Sequence, residues 1–301
     1  MTDEPYFEPL ARGLYLEGLA VDGDRVWFSD VFDGGVQRRD PDGTLSRWLP
    51  ERRWIGAIAV NEDGAVLSSG PGGIVWVDPA TGQSGTLVDA VDGEPLPGAN
   101  EMCPDGRDGI YFGSIDLPAI ERGDPPGPAA LHHLASDGRV ARLTDDLVFC
   151  NGVGISPDAS ALYHNESFVG TFLYPVLPDG GLGERRMLLE KQDVDGMALD
   201  VDGNLWITGF SSSDILCVTP YGEIVDLLSV PAGAVTNIRF GGGDGRDLYL
   251  TTVPLEAGME IAAGRWPSKP DSVLYRTRSP VAGRLAAPLR FALRERSVVG
   301  E

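Results

Sequence analysis

Four oxygen-bearing side chains in this chain stand two residues ahead of the apolar residue that opens a recurring unit. They are Glu17 before Leu19, Asn100 before Met102, Asn151 before Val153 and Asp195 before Met197. In the two remaining units the same slot holds Gly56, before Ile58, and Thr236, before Ile238. If the units surround an axis, these six positions converge on it. Two carboxylates and two amide carbonyls, without sulfur or imidazole, form the donor set a hard divalent cation takes. A cation held there would polarise a carbonyl oxygen, and a carboxylate beside it could accept the proton of an attacking water.

The elements that must position this set follow from the spacing. Units open at Leu19, Ile58, Met102, Val153, Met197 and Ile238, at intervals of 39, 44, 51, 44 and 41 residues, which are the periods of propeller blades. Inside each unit a short apolar strand meets an Asp/Gly-rich turn, then a second strand such as Val26-Trp27-Phe28-Ser29-Asp30 or Leu205-Trp206-Ile207-Thr208-Gly209. Turns such as Pro41-Asp42-Gly43 and Ser136-Asp137-Gly138 separate two further strands. The prediction is an all-β fold, a six-bladed β-propeller with a metal site at one mouth of the central channel. Residues 1–301 form a single domain. The stretch Tyr6 to Gly13 is expected to close the last blade, together with Ser272 to Arg276 and Leu289 to Leu293.

Composition narrows the function classes. The chain has 40 Gly and 23 Pro with 6 Trp, 8 Tyr and 10 Phe, too apolar and aromatic for a disordered chain and suited to many short strands. Its 45 acidic against 24 basic residues give a net charge of -21, which repels phosphate backbones and anionic membranes and favours cation capture. The partner expected is a small molecule, with neither nucleic acid nor membrane, and the protein is expected to be a monomer or weak homo-oligomer. Cys103, Cys150 and Cys217 are isolated, and Met1 to Leu10 lacks the pattern of a secretory leader. Both point to a cytoplasmic protein.

Further candidates lie where each second strand returns to the same mouth, ending at Asp30, Ser69, Ser114, Glu166, Gly209 and Thr252. These predict a second polar ring, with Glu166 as a substrate contact and Phe32, Phe168 and Phe210 as walls of a substrate pocket. His164 is the histidine placed to act as an alternative base. The long Asp116 to Ala130 insertion, with Pro118, Pro125, Pro126 and Pro128, is a lid or a passive excursion.

The chain resembles the senescence marker protein 30, gluconolactonase and luciferin-regenerating enzyme family over nearly all its length. The resemblance rests on Leu16-Glu17-Gly18-Leu19, Asn100-Glu101, Asn151-Gly152-Val153 with Ser156-Pro157-Asp158, Asp195-Gly196-Met197-Ala198-Leu199-Asp200 with Gly203-Asn204-Leu205-Trp206, and Thr236-Asn237-Ile238-Arg239-Phe240-Gly241-Gly242. It implies that Glu17, Asn151 and Asp195 bind a divalent metal, that Asp195 is also the catalytic base, and that Asn100 lies beside the metal near the substrate. Calcium is the first expectation from oxygen ligands, with zinc, manganese or magnesium as alternatives. The expected reaction is metal-dependent hydrolysis of lactones or related cyclic esters. A non-catalytic metal- or ligand-binding propeller, and an isomerase or cyclase using the same site, are the competing readings. Sugar lactonases of the family usually carry an Arg two residues before the Asn100 position, where this chain has Gly98. Together with the phenylalanines, Gly98 predicts a more apolar lactone, and predicts that Gly98→Arg narrows the gap between apolar and sugar lactones.

Overall fold

In a computed structural model, which describes residues 5–125, 127–262 and 265–293, six four-stranded antiparallel sheets make up the fold. Pro126 of the insertion lies outside the described residues. The first strands of the six blades are Leu16–Asp22, Ile58–Val60, Ala99–Pro104, Cys150–Ile155, Val194–Leu199 and Ala234–Gly241. These segments are almost wholly buried and run side by side round the channel, so they read as apolar runs broken by the polar slot. The chain is a six-bladed β-propeller.

Blade six is a composite. Glu8–Gly13 pairs antiparallel with Ser272–Arg278 as its outermost strand, and Arg276 donates to Glu8 Oε2 from both Nε (3.0 Å) and Nη2 (2.5 Å). The expectation for Leu289 to Leu293 is corrected. That segment pairs with no strand of blade six. Leu289 bridges Asn61 of blade two, and Leu289, Phe291 and Leu293 are buried among Ala57, Ala59 and Met102. The Asn61 side chain holds it by bonding both polar groups of Phe291, and three large apolar groups gain more there than at a solvated outer edge.

One irregularity recurs in five first strands. The ladder to the second strand breaks between Leu16 and Leu19, Ala99 and Met102, Cys150 and Val153, Val194 and Met197, and Val235 and Asn237. Each is a β-bulge, which leaves its extra residues without a ladder partner and re-aims their side chains. The residues set free include Glu17, Asn100, Asn151, Asp195 and Thr236. Asn151-Gly152 and Asp195-Gly196 are therefore strand residues, and turn chemistry does not explain them. Their glycines answer to crowding, since a side chain at Gly152 would run into the Asp195 carbonyl and one at Gly196 into the backbone of Asn237.

Candidate functional site

Glu17, Asn100, Asn151 and Asp195 sit at one mouth of the channel, exposed by only 8, 8, 7 and 5 %. Neighbouring blades fix the backbone around Glu17 and Asp195 and the side chain of Asn100. Thr251 Oγ1 donates to the Glu17 carbonyl at 3.1 Å, and Thr236 Oγ1 to that of Leu16 at 2.8 Å. Asn165 Nδ2 donates to the Asp195 carbonyl at 2.8 Å and Ser167 Oγ to that of Val194 at 2.8 Å. Asn100 Nδ2 donates to the carbonyl of Cys150, next to Asn151, at 2.9 Å. The Asn100 amide lies over Gly56, where any Cβ would collide with it. The glycine in the second unit's slot is thus the space its neighbour occupies, and the Thr236 hydroxyl in the sixth is spent tying blade six to blade one.

The electrostatics are unusual for a buried site. Burial above all, then the charges of Asp195 and Glu101, push the Glu17 carboxyl well above the ordinary range, against the pull of the Arg239 guanidinium. Burial and Glu101 likewise raise Asp195, while a hydrogen bond from Asn151 draws it down. Asp195 Oδ1 and Asn151 Oδ1 are both buried without a hydrogen-bond partner. Unpaired buried acceptors beside like charges are costly and call for positive charge. Two carboxylates and an amide oxygen match a hard cation's ligands, completed by water. Among the described residues no three His, Cys, Asp or Glu side chains gather as a metal cluster; here the third donor is an amide.

Glu101, one residue past Asn100, is a site feature that the spacing did not single out. It is fully buried, accepts 2.5 Å and 3.2 Å hydrogen bonds from Asn237 Nδ2 and Arg239 Nη2, and stands near enough to raise both Glu17 and Asp195. The Arg239 Nη1 also donates to the Met197 carbonyl at 3.0 Å. Burial raises Glu101 too, with Arg239 and Asn237 opposing. The available signal was Arg239, a basic residue two positions beyond Asn237 in a buried channel strand.

The second polar ring is corrected. Its members brace loops. Asp30 accepts from the backbone N–H groups of Leu14, Tyr15, Phe32 and Asp33, Ser69 Oγ from Ala57 N, and Thr252 Oγ1 donates to the Val273 carbonyl. Glu166 is spent in the same way: it accepts from Val148 N at 2.9 Å and from Arg185 Nη1 at 3.0 Å, which leaves it committed away from a substrate. Phe168 is 62 % exposed in a left-handed turn and meets Phe149 edge to face. Phe32 and Phe210 do gather, with Tyr15, on the rim. His164 is fully buried with both ring nitrogens unpartnered, and burial with Arg185 nearby lowers it to about 3. It is a neutral core residue and no base for this mouth. The Asp116 to Ala130 insertion is anchored rather than loose, because Asp116 caps the short helix α1 (Leu117–Glu121) and Leu117 is buried.

Leu117 also settles Gly98. A Cβ on Gly98 would come within 2.5 Å of the Leu117 side chain, so the position has no room for an arginine. Gly98→Arg therefore requires Leu117 to move before the arginine can reach a substrate.

Fold and site define the class: a six-bladed propeller that gathers an acidic, oxygen-rich centre at one mouth of its channel. The chain belongs to the SMP-30/Gluconolactonase/LRE-like family, which it matches over residues 16–254. It is 29 % identical over 273 residues to 6-deoxy-6-sulfogluconolactonase of Pseudomonas putida, covering 88 % of this chain and 90 % of the relative. It is 30 % identical over 268 residues to regucalcin of Bos taurus, covering 83 % and 82 %. A solved luciferin-regenerating enzyme superposes with a TM-score of 0.82 at 18 % identity, over 95 % of this chain and all of that one. The calcium-binding protein regucalcin of Agrobacterium tumefaciens superposes with a TM-score of 0.78 at 20 % identity, over 95 % and 98 %. At such identities the superpositions speak for the fold.

Proposed function

We propose that the protein is a divalent-cation-dependent lactonase, with Glu17, Asn151 and Asp195 holding the cation and calcium the first choice. The observation that carries the reading is the pair of unpartnered buried oxygens, Asp195 Oδ1 and Asn151 Oδ1, with the Glu17 carboxyl close enough to Asp195 to be raised by its charge. Relatives named as lactonases, and a regucalcin described as calcium-binding, support it. A cation bound there supplies Lewis-acid polarisation of the lactone carbonyl.

The remaining work falls to the chain's own groups. Asp195 accepts the proton of the attacking water; its backbone is clamped by Asn165 and Ser167, so the carboxylate needs little reorganisation. Asn100, fixed by Cys150 and seated over Gly56, orients the ester. Glu101, held by Asn237 and Arg239, adds negative charge beside Glu17 and Asp195. We place the protein in the cytoplasm, a reading supported by its three free buried thiols; no helix of the described residues is long and apolar enough to cross a membrane. The test is a panel of sugar, alkyl and aryl lactones assayed with calcium and after chelation. Ring opening that disappears with chelator and returns with calcium is expected. Chelator-insensitive ring opening, or none with any divalent cation, overturns the proposal.

A further inference from the structure

Four aromatic rings form a wall, packed one against the next, from solvent to the start of the strand that carries Glu17. Trp266, 43 % exposed, lies 5.1 Å centroid to centroid from Phe32 at a 36° tilt, and 5.7 Å from Trp54 edge to face. Phe32 meets Trp54 at 5.3 Å and 76°, and Tyr15 at 5.7 Å and 85°. Tyr15 is two residues before Glu17, and its hydroxyl feels the charges of both Glu17 and Asp195.

Two details show the wall is built rather than incidental. Trp54 has a φ of 57°, a left-handed conformation costly for a bulky residue, held by Trp54 N donating to the Val31 carbonyl at 3.0 Å. The adjoining stretch of the rim is apolar as well, since Trp54 packs against the cluster that contains Leu117, and Leu117 fills the space beside Gly98. Arg52, two residues before Trp54, is committed to the carbonyls of Pro71 and Gly73.

We infer that Phe32, Trp54 and Trp266 are specificity-determining residues that receive an apolar substituent, aryl or alkyl, of a lactone whose ester reaches the centre past Tyr15. The inference rests on the lactonase reading and adds the substrate class to it. An apolar substituent gains from leaving water against these rings. The hydroxyls of a sugar lactone would lose hydration that rings cannot replace.

The decisive measurement is the ratio of kcat/KM for an aryl-substituted lactone to that for glucono-1,5-lactone, under saturating calcium. It is expected to exceed about tenfold in the wild type, the scale of discrimination by apolar contacts. Trp266→Ala is expected to lower that ratio about tenfold, mainly through KM. Trp266 is part-exposed, so the variant should fold; Leu45→Ala, on the outer strand of blade one, is the control and should leave the ratio alone. A wild-type ratio below one, or a Trp266→Ala ratio equal to the wild type's, overturns the inference. Binding is read separately, by quenching of tryptophan fluorescence when the aryl lactone is titrated into Asp195→Asn. Quenching in that variant, without turnover of any lactone by the wild type, would retain the wall and discard the lactonase reading; no quenching at all would discard the wall.

Discussion

Two buried acidic centres share the channel and are treated in opposite ways. Glu101 is fully satisfied, with one oxygen on Asn237 and the other on Arg239. Among the described residues, Glu17 and Asp195, next to it, have no cationic side chain of their own at hydrogen-bonding distance, and Asp195 Oδ1 and Asn151 Oδ1 are left bare. Both centres are desolvated, so burial alone does not distinguish them. The difference lies in what the chain itself neutralises: the first centre closes on an amide and a guanidinium, while the second is left without a paired counter-charge, so burial and neighbouring charge raise both of its carboxyls. A fold evolved only for stability would pair both.

The sharpest way to break this contrast is Asp195→Asn. The amide keeps an oxygen but loses basicity and charge, so turnover at saturating calcium should fall about 10²- to 10⁴-fold while the chain stays folded. Near-full activity would reduce Asp195 to a ligand or brace. At the satisfied centre, Arg239→Met should act on stability instead. It strands Glu101 as an uncompensated buried charge, at a cost of about 3–5 kcal/mol read from urea unfolding, and adding Glu101→Gln should recover much of it. If single and double variants were equally unstable, the two residues would not be one centre.

Glu17→Gln should run in the opposite direction. Removing one of three converging carboxylates relieves like-charge repulsion, so the cation-free protein should gain on the order of 1–4 kcal/mol while its stabilisation by added calcium shrinks. A cation-free variant less stable than the wild type would refute the idea that the mouth is built against its own stability. The smallest effect extends the comparison to a group buried with no partner and no charge. His164 is lowered to about 3 and His132 to about 4, both chiefly by burial. Each is depressed below its unfolded value near 6.5, so the unfolded chain binds protons first as the solution is acidified. Stability should therefore fall from about pH 6.5 downward, by up to roughly 1.4 kcal/mol per pH unit for each histidine, and stop falling below the folded value. His164→Leu, which breaks no hydrogen bond, should remove its share of that slope; urea midpoints at pH 7 and pH 4.5 measure it.

What the sequence disclosed was periodic. Blade number and the common slot of Glu17, Asn100, Asn151 and Asp195 follow from counting, because a repeated backbone places repeated positions alike. What it concealed was set by contacts between units. The bulges that free the slot residues have no composition of their own. Glu166 looked available until Arg185 and Val148 N were seen to claim it. Leu289–Leu293 is apolar enough for an outer strand, yet Asn61, more than two hundred residues away, decides its place. Trp54 and Trp266 occur in irregular stretches with no repeat to flag them.

The composite blade has a consequence for how the molecule is made. Glu8–Gly13 leaves the ribosome more than two hundred residues before its partner Ser272–Arg278, so the ring stays open until that partner is made. The threonines that fix Leu16 and Glu17, Thr236 and Thr251, belong to the same late blade. Glu17 therefore reaches its final position at the moment the ring shuts. A nascent chain has no finished centre before the last blade docks, so any cation the proposed site holds would be taken up only after that step.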